Sequence, residues 1–304
     1  MDKVIVLMST YNGEKYLQQQ LDSLYAQKNV EIEIIVRDDG SIDKTKEILE
    51  ENRKRGLLKW YTGENIKPAM SFMDLVYQAP LSRYYAFCDQ DDVWEEDKLE
   101  IALSKIKREE NENPDKSILY YGRPRLVNAS LETIKSPKTS SEKMTDYGSS
   151  IINSNATGCT MVFNRILLEQ VKSKRPKYIF MHDAWFHKVC LICNGKVIFD
   201  NDVHIMYRQH ANNVIGSSNS LLKKMKRHIG SLSKKDCIRS RTVESLLECY
   251  ANEMSLADLE MSRLVINYKK GLKNKIKLLR EKRISTKYFK RNLYYKVAVI
   301  LNAF

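Results

Sequence analysis

The sequence predicts an α/β protein: an open, mostly parallel sheet with helices on both faces. Three observations predict it. Short apolar runs rich in β-branched residues alternate with stretches at helical spacing, the alternation repeats through the first third of the chain, and a polar cluster follows most of the runs.

The elements follow in order. Val4-Ile5-Val6-Leu7-Met8 has the composition of a buried parallel strand, and Ser9-Thr10-Tyr11-Asn12-Gly13 follows it as a turn. From about Glu14 to Gln27 the residues Tyr16, Leu17, Leu21, Leu24 and Tyr25 share one helical face. A second strand, Ile32 to Val36, runs into Arg37-Asp38-Asp39-Gly40-Ser41, and a helix starts near Asp43. Leu57 to Tyr61 is expected as a strand, Ser71 to Gln78 as a helix and Tyr84 to Cys88 as a strand. Further on, Glu95 to Glu110 is expected as a charged helix, Ile118 to Val127 and Cys159 to Phe163 as strands, and Asp183 to Cys193 as a helix. Pro137 to Gly148, rich in Ser, Thr and Lys, is expected as a mobile loop. In such sheets ligands bind beyond the carboxyl ends of the strands, where Thr10-Tyr11-Asn12, Asp38-Asp39 and Asp89-Gln90-Asp91-Asp92 all fall.

Charge divides the chain. Residues 218–304 hold 21 Lys and Arg against 7 Asp and Glu, whereas residues 1–217 hold 30 against 31. The composition shift predicts a catalytic domain over 1–217 and a basic, amphipathic helical tail over 218–304. Lys223-Lys224-Met225-Lys226-Arg227 and the stretch from Tyr268 to Lys296 mix cations with apolar residues, which suits helices lying on an anionic membrane surface; a helical cover for the domain or a homo-oligomer contact would use the same pattern. There is no signal-peptide pattern and no apolar run near the roughly 20 residues that span a bilayer. The expected location is therefore cytoplasmic, peripheral at the inner face of the plasma membrane. The six cysteines are expected as free thiols, and the Cys190/Cys193 pair lacks the second ligand pair of a zinc site.

Several classes are excluded by missing motifs. No GxxxxGK[ST] is present, as a P-loop NTPase would need, and no GxGxxG follows the first strand. No nucleic-acid-binding motif accompanies the basic charge. What stands out is Phe87-Cys88-Asp89-Gln90-Asp91-Asp92-Val93-Trp94, with three carboxylates in four positions. Such acids repel unless a positive charge sits among them, and hard oxygen ligands suit Mg²⁺ or Mn²⁺ with a diphosphate. The same acids could instead cap the helix that follows. One acid of Asp38-Asp39 could accept a hydrogen bond from a nucleotide base or ribose, while Ser41 or Asp43 caps a helix.

Together, the segments Val4 to Gly13, Arg37 to Ser41 with Asp43 and Thr45, and Phe87 to Trp94 resemble the inverting glycosyltransferase family 2, and the resemblance continues through Ala156 to Met161, Met181 to Trp185 and Tyr207 to Val214. It covers about residues 3–217 and looks most like the bacterial rhamnosyltransferase branch of cell-wall and capsular polysaccharide synthesis. The resemblance implies an A-type glycosyltransferase fold, a Rossmann-like sheet flanked by helices, with the basic helical extension appended. It also implies a metal-dependent, inverting transfer of a sugar from a dTDP- or UDP-linked donor, dTDP-L-rhamnose first and a UDP-hexose as the alternative, to a polyprenyl-diphosphate-linked glycan acceptor. By the same resemblance Thr10, Tyr11, Asn12, Asp39, Asp89, Asp91 and Arg208 bind the nucleotide sugar, Asp91 and His210 bind Mn²⁺ or Mg²⁺ with Asp92 as a further ligand candidate, and Asp183 is the general base. The chain departs from the family pattern at Asn65-Ile66-Lys67-Pro68, where members often carry a glycine.

Overall fold

The computed structural model describes residues 1–134, 146–154, 156–209 and 236–304. His210, the basic run Lys223 to Arg227 and residues 137–145 of the expected loop lie outside the described residues. Strands β1 (Asp2–Thr10), β2 (Val30–Asp38), β3 (Lys59–Thr62) and β4 (Tyr84–Cys88) pair in parallel in the order β3-β2-β1-β4. Beyond β4 the sheet continues through β7 (Val162–Asn164), β6 (Ile118–Val127), β8 (Lys196–Arg208) and β5 (Val93–Trp94). Here β7 is antiparallel to both neighbours, β6 runs parallel to β8, and the short β5 closes the edge antiparallel to β8. The helices are α1 (Leu17–Tyr25), α2 (Thr45–Lys54), α3 (Lys67–Gln78), α4 (Lys98–Glu112), α5 (Tyr147–Ile152), α6 (Arg165–Lys172), α7 (His182–Ile192), α8 (Ile238–Tyr250), α9 (Leu256–Asn267), α10 (Leu272–Arg280) and α11 (Phe289–Ile300).

The period-two alternation of β1 divides the core. Val4, Val6 and Met8 pack on one side with Leu17, Leu21 and Leu24 of α1 and Leu99, Leu103 and Ile106 of α4. Ile5 and Leu7 pack on the other with Phe72 and Val76 of α3 and Trp185, Phe186 and Val189 of α7. That second cluster extends without a break into Leu246, Tyr250, Val265, Tyr268, Leu278, Tyr295 and Phe304. Apolar residues of α8 to α11 thus pack in the same core as the sheet.

Several elements differ from expectation, each for a local reason. The first helix starts at Leu17 rather than Glu14, since Gly13 and Glu14 are tied to the loop after β2. Helix α3 starts at Lys67, four residues early, with Pro68 in its first turn where no N–H is needed. Tyr147 and Gly148 belong to α5, which Asp146 caps by accepting from the Ser149 N–H at 2.7 Å. Residues 158–160 form a 3₁₀ turn ahead of a strand that begins at Val162. Strands β5 and β8 and helix α6 were not expected. Pro124, which cannot donate to the ladder, coincides with a register shift in the β6–β8 pairing. Cys190 is buried in α7 and all six cysteines are free. No helix among the described residues is long and apolar enough to cross a membrane.

Candidate active site

The carboxyl ends of β1, β2 and β4 lie side by side, with Thr10 opposite Asp38 in the β1–β2 register and Met8 opposite Cys88 in the β1–β4 register. The loops that follow are stitched together. Asp38 accepts from the Thr10 hydroxyl at 3.0 Å, from the Ser41 N–H at 2.9 Å and from the Ser41 hydroxyl. Asn12 donates its N–H to Ser41 Oγ at 2.9 Å and accepts from the Ile42 N–H through Oδ1 at 2.9 Å. Gln90 clasps Tyr11 from both sides: Oε1 accepts the Tyr11 N–H at 2.8 Å, and Nε2 donates to the Tyr11 carbonyl at 3.1 Å. A Cβ at Gly13 would come within 2.3 Å of Gln90 Oε1, so this position has room only for glycine while the clasp holds. The Tyr11 ring remains 46% exposed at the mouth of the site.

Asp39 is 3% exposed. It pairs with Arg37, and it accepts from the Ile66 N–H at 3.1 Å and the Lys67 N–H at 3.0 Å. The segment that departs from the family pattern is therefore docked on Asp39 at the start of α3. Arg37 also donates to Asp74 Oδ2 at 3.0 Å, and Tyr61 donates to the same oxygen at 2.8 Å. One lone pair of Asp39 Oδ2 is left for a ligand.

The acidic loop between β4 and β5 is fixed from beneath by Arg208 at the end of β8. The Arg208 N–H donates to Asp92 Oδ1 at 3.0 Å, its Nε to the Asp91 carbonyl at 2.8 Å, and its guanidinium to the Ala129 carbonyl and to Gln19 Oε1 at 2.6 Å. The same guanidinium lies 4.3 Å over the Tyr16 ring, and the residue is 1% exposed. This corrects the expectation of a donor-binding arginine: the side chain points into the protein and braces the loop that carries the acids.

Asp89, Asp92 and the Cys159 thiol bring ligand atoms within 4.8 Å of one another. Asp92 is fully buried, and its Oδ2 has no hydrogen-bond donor among the described residues. Burial, reinforced by the charges of Asp91 and then Asp89, pushes the Asp92 carboxyl well above the usual range. Asp89 is pushed up to about 7, first by burial, then by Asp91 and by Asp183. That last influence places Asp183, at the start of α7, beside the acidic loop although 94 positions separate it from Asp89 in the chain. Crowded acids with an unpartnered buried oxygen fit a divalent cation, and their hard oxygens suit Mg²⁺ or Mn²⁺.

Asp183 is held at both oxygens: Oδ1 accepts from the Ala184 N–H at 2.6 Å and Oδ2 from the Gly158 N–H at 3.3 Å. Burial raises its pKa, and these N–H groups and Lys188 partly oppose the rise. Behind it His182 is sandwiched between Phe72, stacked at 3.9 Å, and Phe87, edge-on at 4.8 Å. Neither ring nitrogen of His182 has a partner among the described residues, and burial drops its pKa to about 3, so the imidazole is neutral. A Cβ on Gly158 would meet His182 Nε2 at 2.7 Å, which reserves that position for glycine as well.

The structure therefore brings Tyr11, Asp39, Asp89, Asp91, Asp92 and Asp183 to one sheet edge, while Thr10, Asn12 and Arg208 have polar atoms engaged in shaping the loops. His210 lies outside the described residues. Gln90, Arg37 and Gly158 were missed as site formers, although each stands inside or next to a motif already singled out.

Residues 5–171 match the family model described as glycosyl transferase family 2. A dTDP-rhamnosyl transferase, RfbG, of Shigella flexneri is 30% identical over 239 residues, covering 72% of this chain and 77% of its own. Among solved structures, S. aureus TarS in complex with UDP-GlcNAc aligns with a TM-score of 0.59 at 17% identity, covering 99% of this chain and 89% of the other. The mannosyltransferase PcManGT from Pyrobaculum calidifontis, in complex with GDP-Man and Mn²⁺, aligns with a TM-score of 0.54 at 15% identity, covering 99% and 85%. The architecture is the A-type glycosyltransferase fold with helices appended at the C-terminal end, and the chain belongs to glycosyl transferase family 2.

Proposed function

We propose that this glycosyltransferase moves L-rhamnose from dTDP-L-rhamnose, with inversion, onto a lipid-linked glycan acceptor in bacterial surface polysaccharide synthesis. The observation that carries the reading is the convergence of Asp89, Asp91 and Asp183 at one sheet edge, expressed in the raised pKa of Asp89. The 30% identity to a dTDP-rhamnosyl transferase supports the donor.

The side chains divide the work. Tyr11 offers its exposed ring to the nucleoside, Asp39 the remaining lone pair of Oδ2 to the base, and Asp89 its carboxylate to the ribose side. Asp91, with Asp92 adjoining and His210 following β8, would hold Mn²⁺ or Mg²⁺, which when bound supplies positive charge against the leaving diphosphate. Asp183 accepts the proton of the acceptor hydroxyl as its oxygen attacks the anomeric carbon. Two backbone N–H groups aim the Asp183 carboxylate, and burial makes it more basic than a surface aspartate. A single displacement of this kind inverts the anomeric centre.

The test is release of nucleoside diphosphate from dTDP- and UDP-sugars with a lipid-linked glycan supplied, in Mn²⁺ or Mg²⁺ and in EDTA, with Asp91→Ala alongside. Turnover of dTDP-L-rhamnose that EDTA and the substitution both abolish is the expected result. Turnover of a UDP-hexose alone would replace the donor, and turnover undiminished in EDTA would remove the metal from the proposal.

A further inference from the structure

The C-terminal helices bury one face and leave the other without a partner. In α10, Leu278 is buried in the core while Leu272 and Ile276, one turn apart, are exposed. In α11, Tyr295, Ala298 and Val299 are buried while Phe289, Leu293 and Ile300 are exposed. Phe289, Leu293, Lys296 and Ile300 fall within about 60° of one another around a helix of 3.6 residues per turn, so they form one stripe. Phe289 is 77% and Leu272 73% exposed. The two helices are packed together: Tyr295 donates to the Leu278 carbonyl at 2.8 Å and Lys275 to the Ile300 carbonyl at 3.0 Å.

Around these apolar residues the charge is of one sign. From Tyr268 to Phe304 there are 12 Lys and Arg and a single acid, Glu281. Glu281 is itself engaged by Arg283, at 2.8 and 2.7 Å. Between α9 and α10 lies a cleft of about 700 Å³ lined by Arg263, Lys277, Arg280, Lys282 and Arg283, with Glu260 and Glu281. Among the described residues, Arg263, Lys277, Arg280 and Lys282 have no ion-pair partner.

The geometry points to an anionic lipid surface as the partner of this face. Exposed Phe, Leu and Ile side chains have no hydrogen bonds to offer a nucleic acid, whereas they insert into the boundary between head groups and acyl chains. A second copy set against the same face would bring two strongly cationic patches together, which is repulsive. Phosphate-bearing head groups match both the unpaired cations and the cleft, while Phe289, Leu293, Ile300, Leu272 and Ile276 supply apolar area. The inference is drawn from the tail alone and stands apart from the identity of the donor.

The experiment is co-sedimentation of the full chain with vesicles of phosphatidylcholine alone and of equal parts phosphatidylcholine and phosphatidylglycerol, at low and high salt. Two variants accompany it, Phe289→Glu with Leu293→Glu, and Lys277→Glu with Arg280→Glu; these side chains project from the surface, and retained thermal unfolding and nucleotide binding verify the fold. Expected are salt-sensitive binding to the anionic vesicles only, and a loss of about tenfold or more in each variant. The proposal is overturned if the parent does not sediment with anionic vesicles. It is overturned equally if the variants bind as the parent does, which assigns binding elsewhere in the chain, or if they only turn a dimer into monomers.

Discussion

Arg208→Met separates a brace from a donor-binding arginine. Methionine fills the volume of the stem but removes the donors that reach the Asp91 carbonyl at 2.8 Å, the Ala129 carbonyl, and Gln19 Oε1 at 2.6 Å. Gln19 is exposed and can turn to water, whereas the two carbonyls lose their donor at a residue only 1% exposed. Each acceptor stranded in this way costs about 1–3 kcal/mol, and the stacked cation over Tyr16 adds about 1. The sum is a loss of about 3–5 kcal/mol in unfolding free energy, measured by urea titration followed through tryptophan fluorescence. Nucleotide binding should weaken as a consequence, because the loop holding Asp91 and Asp92 is released. Unchanged stability with weakened nucleotide binding would refute the reasoning and return Arg208 to the donor.

Other residues give further tests. Gly158→Ala places a methyl 2.7 Å from His182 Nε2, which cannot retreat between Phe72 and Phe87, so Asp183 must shift; kcat should fall by about 10²-fold with KM for the donor little changed, and an active variant would show that the contact relaxes elsewhere. His182→Phe removes two buried nitrogens that have no partner among the described residues, so thermal unfolding should shift upward by the equivalent of about 1–2 kcal/mol; a clear loss of stability would reveal a partner for the imidazole. Lys188 is buried with its pKa lowered from 10.5 to about 8, chiefly by burial. Between those values the unfolded chain holds more protons than the folded one, so stability rises with pH across that window. Relative to Lys188→Met, the parent should therefore gain about 2–3 kcal/mol from pH 7 to pH 10, and a constant difference would contradict the burial of that charge.

Much of the fold was legible because its signals are local. Val4 to Met8 and Ile118 to Val127 carry their strand character in their own composition, and the turn clusters after β1, β2 and β4 mark the ligand edge wherever the strands are placed. What was not legible depends on long-range pairing. Val93 and Trp94 form a strand only because His204 to Met206 return beside them, and Asp200-Asn201-Asp202 interrupts the apolar run of β8. The acids of the site were visible as a motif, but the approach of Asp183 to Asp89 exists only in the folded chain. Arg208 was misread for a related reason: a motif tells that an arginine lies near the acids and not whether it faces the cleft or the core. The engagement of Asp38 by Thr10 and Ser41, against that of Asp39 by Arg37, Ile66 and Lys67, assigns two adjacent acids to different structural tasks that their sequence does not distinguish.

The central claim is that Asp183 takes the proton of the acceptor, and Asp183→Asn tests it most directly. Asparagine keeps an oxygen for the Ala184 N–H but has no basicity. Initial rates of dTDP-L-rhamnose turnover with acceptor, alongside calorimetric binding of dTDP, should show kcat lower by about 10²–10⁴-fold with nucleotide affinity kept within about twofold. Full turnover in this variant, or a loss of nucleotide binding that accounts for the whole defect, would contradict the account.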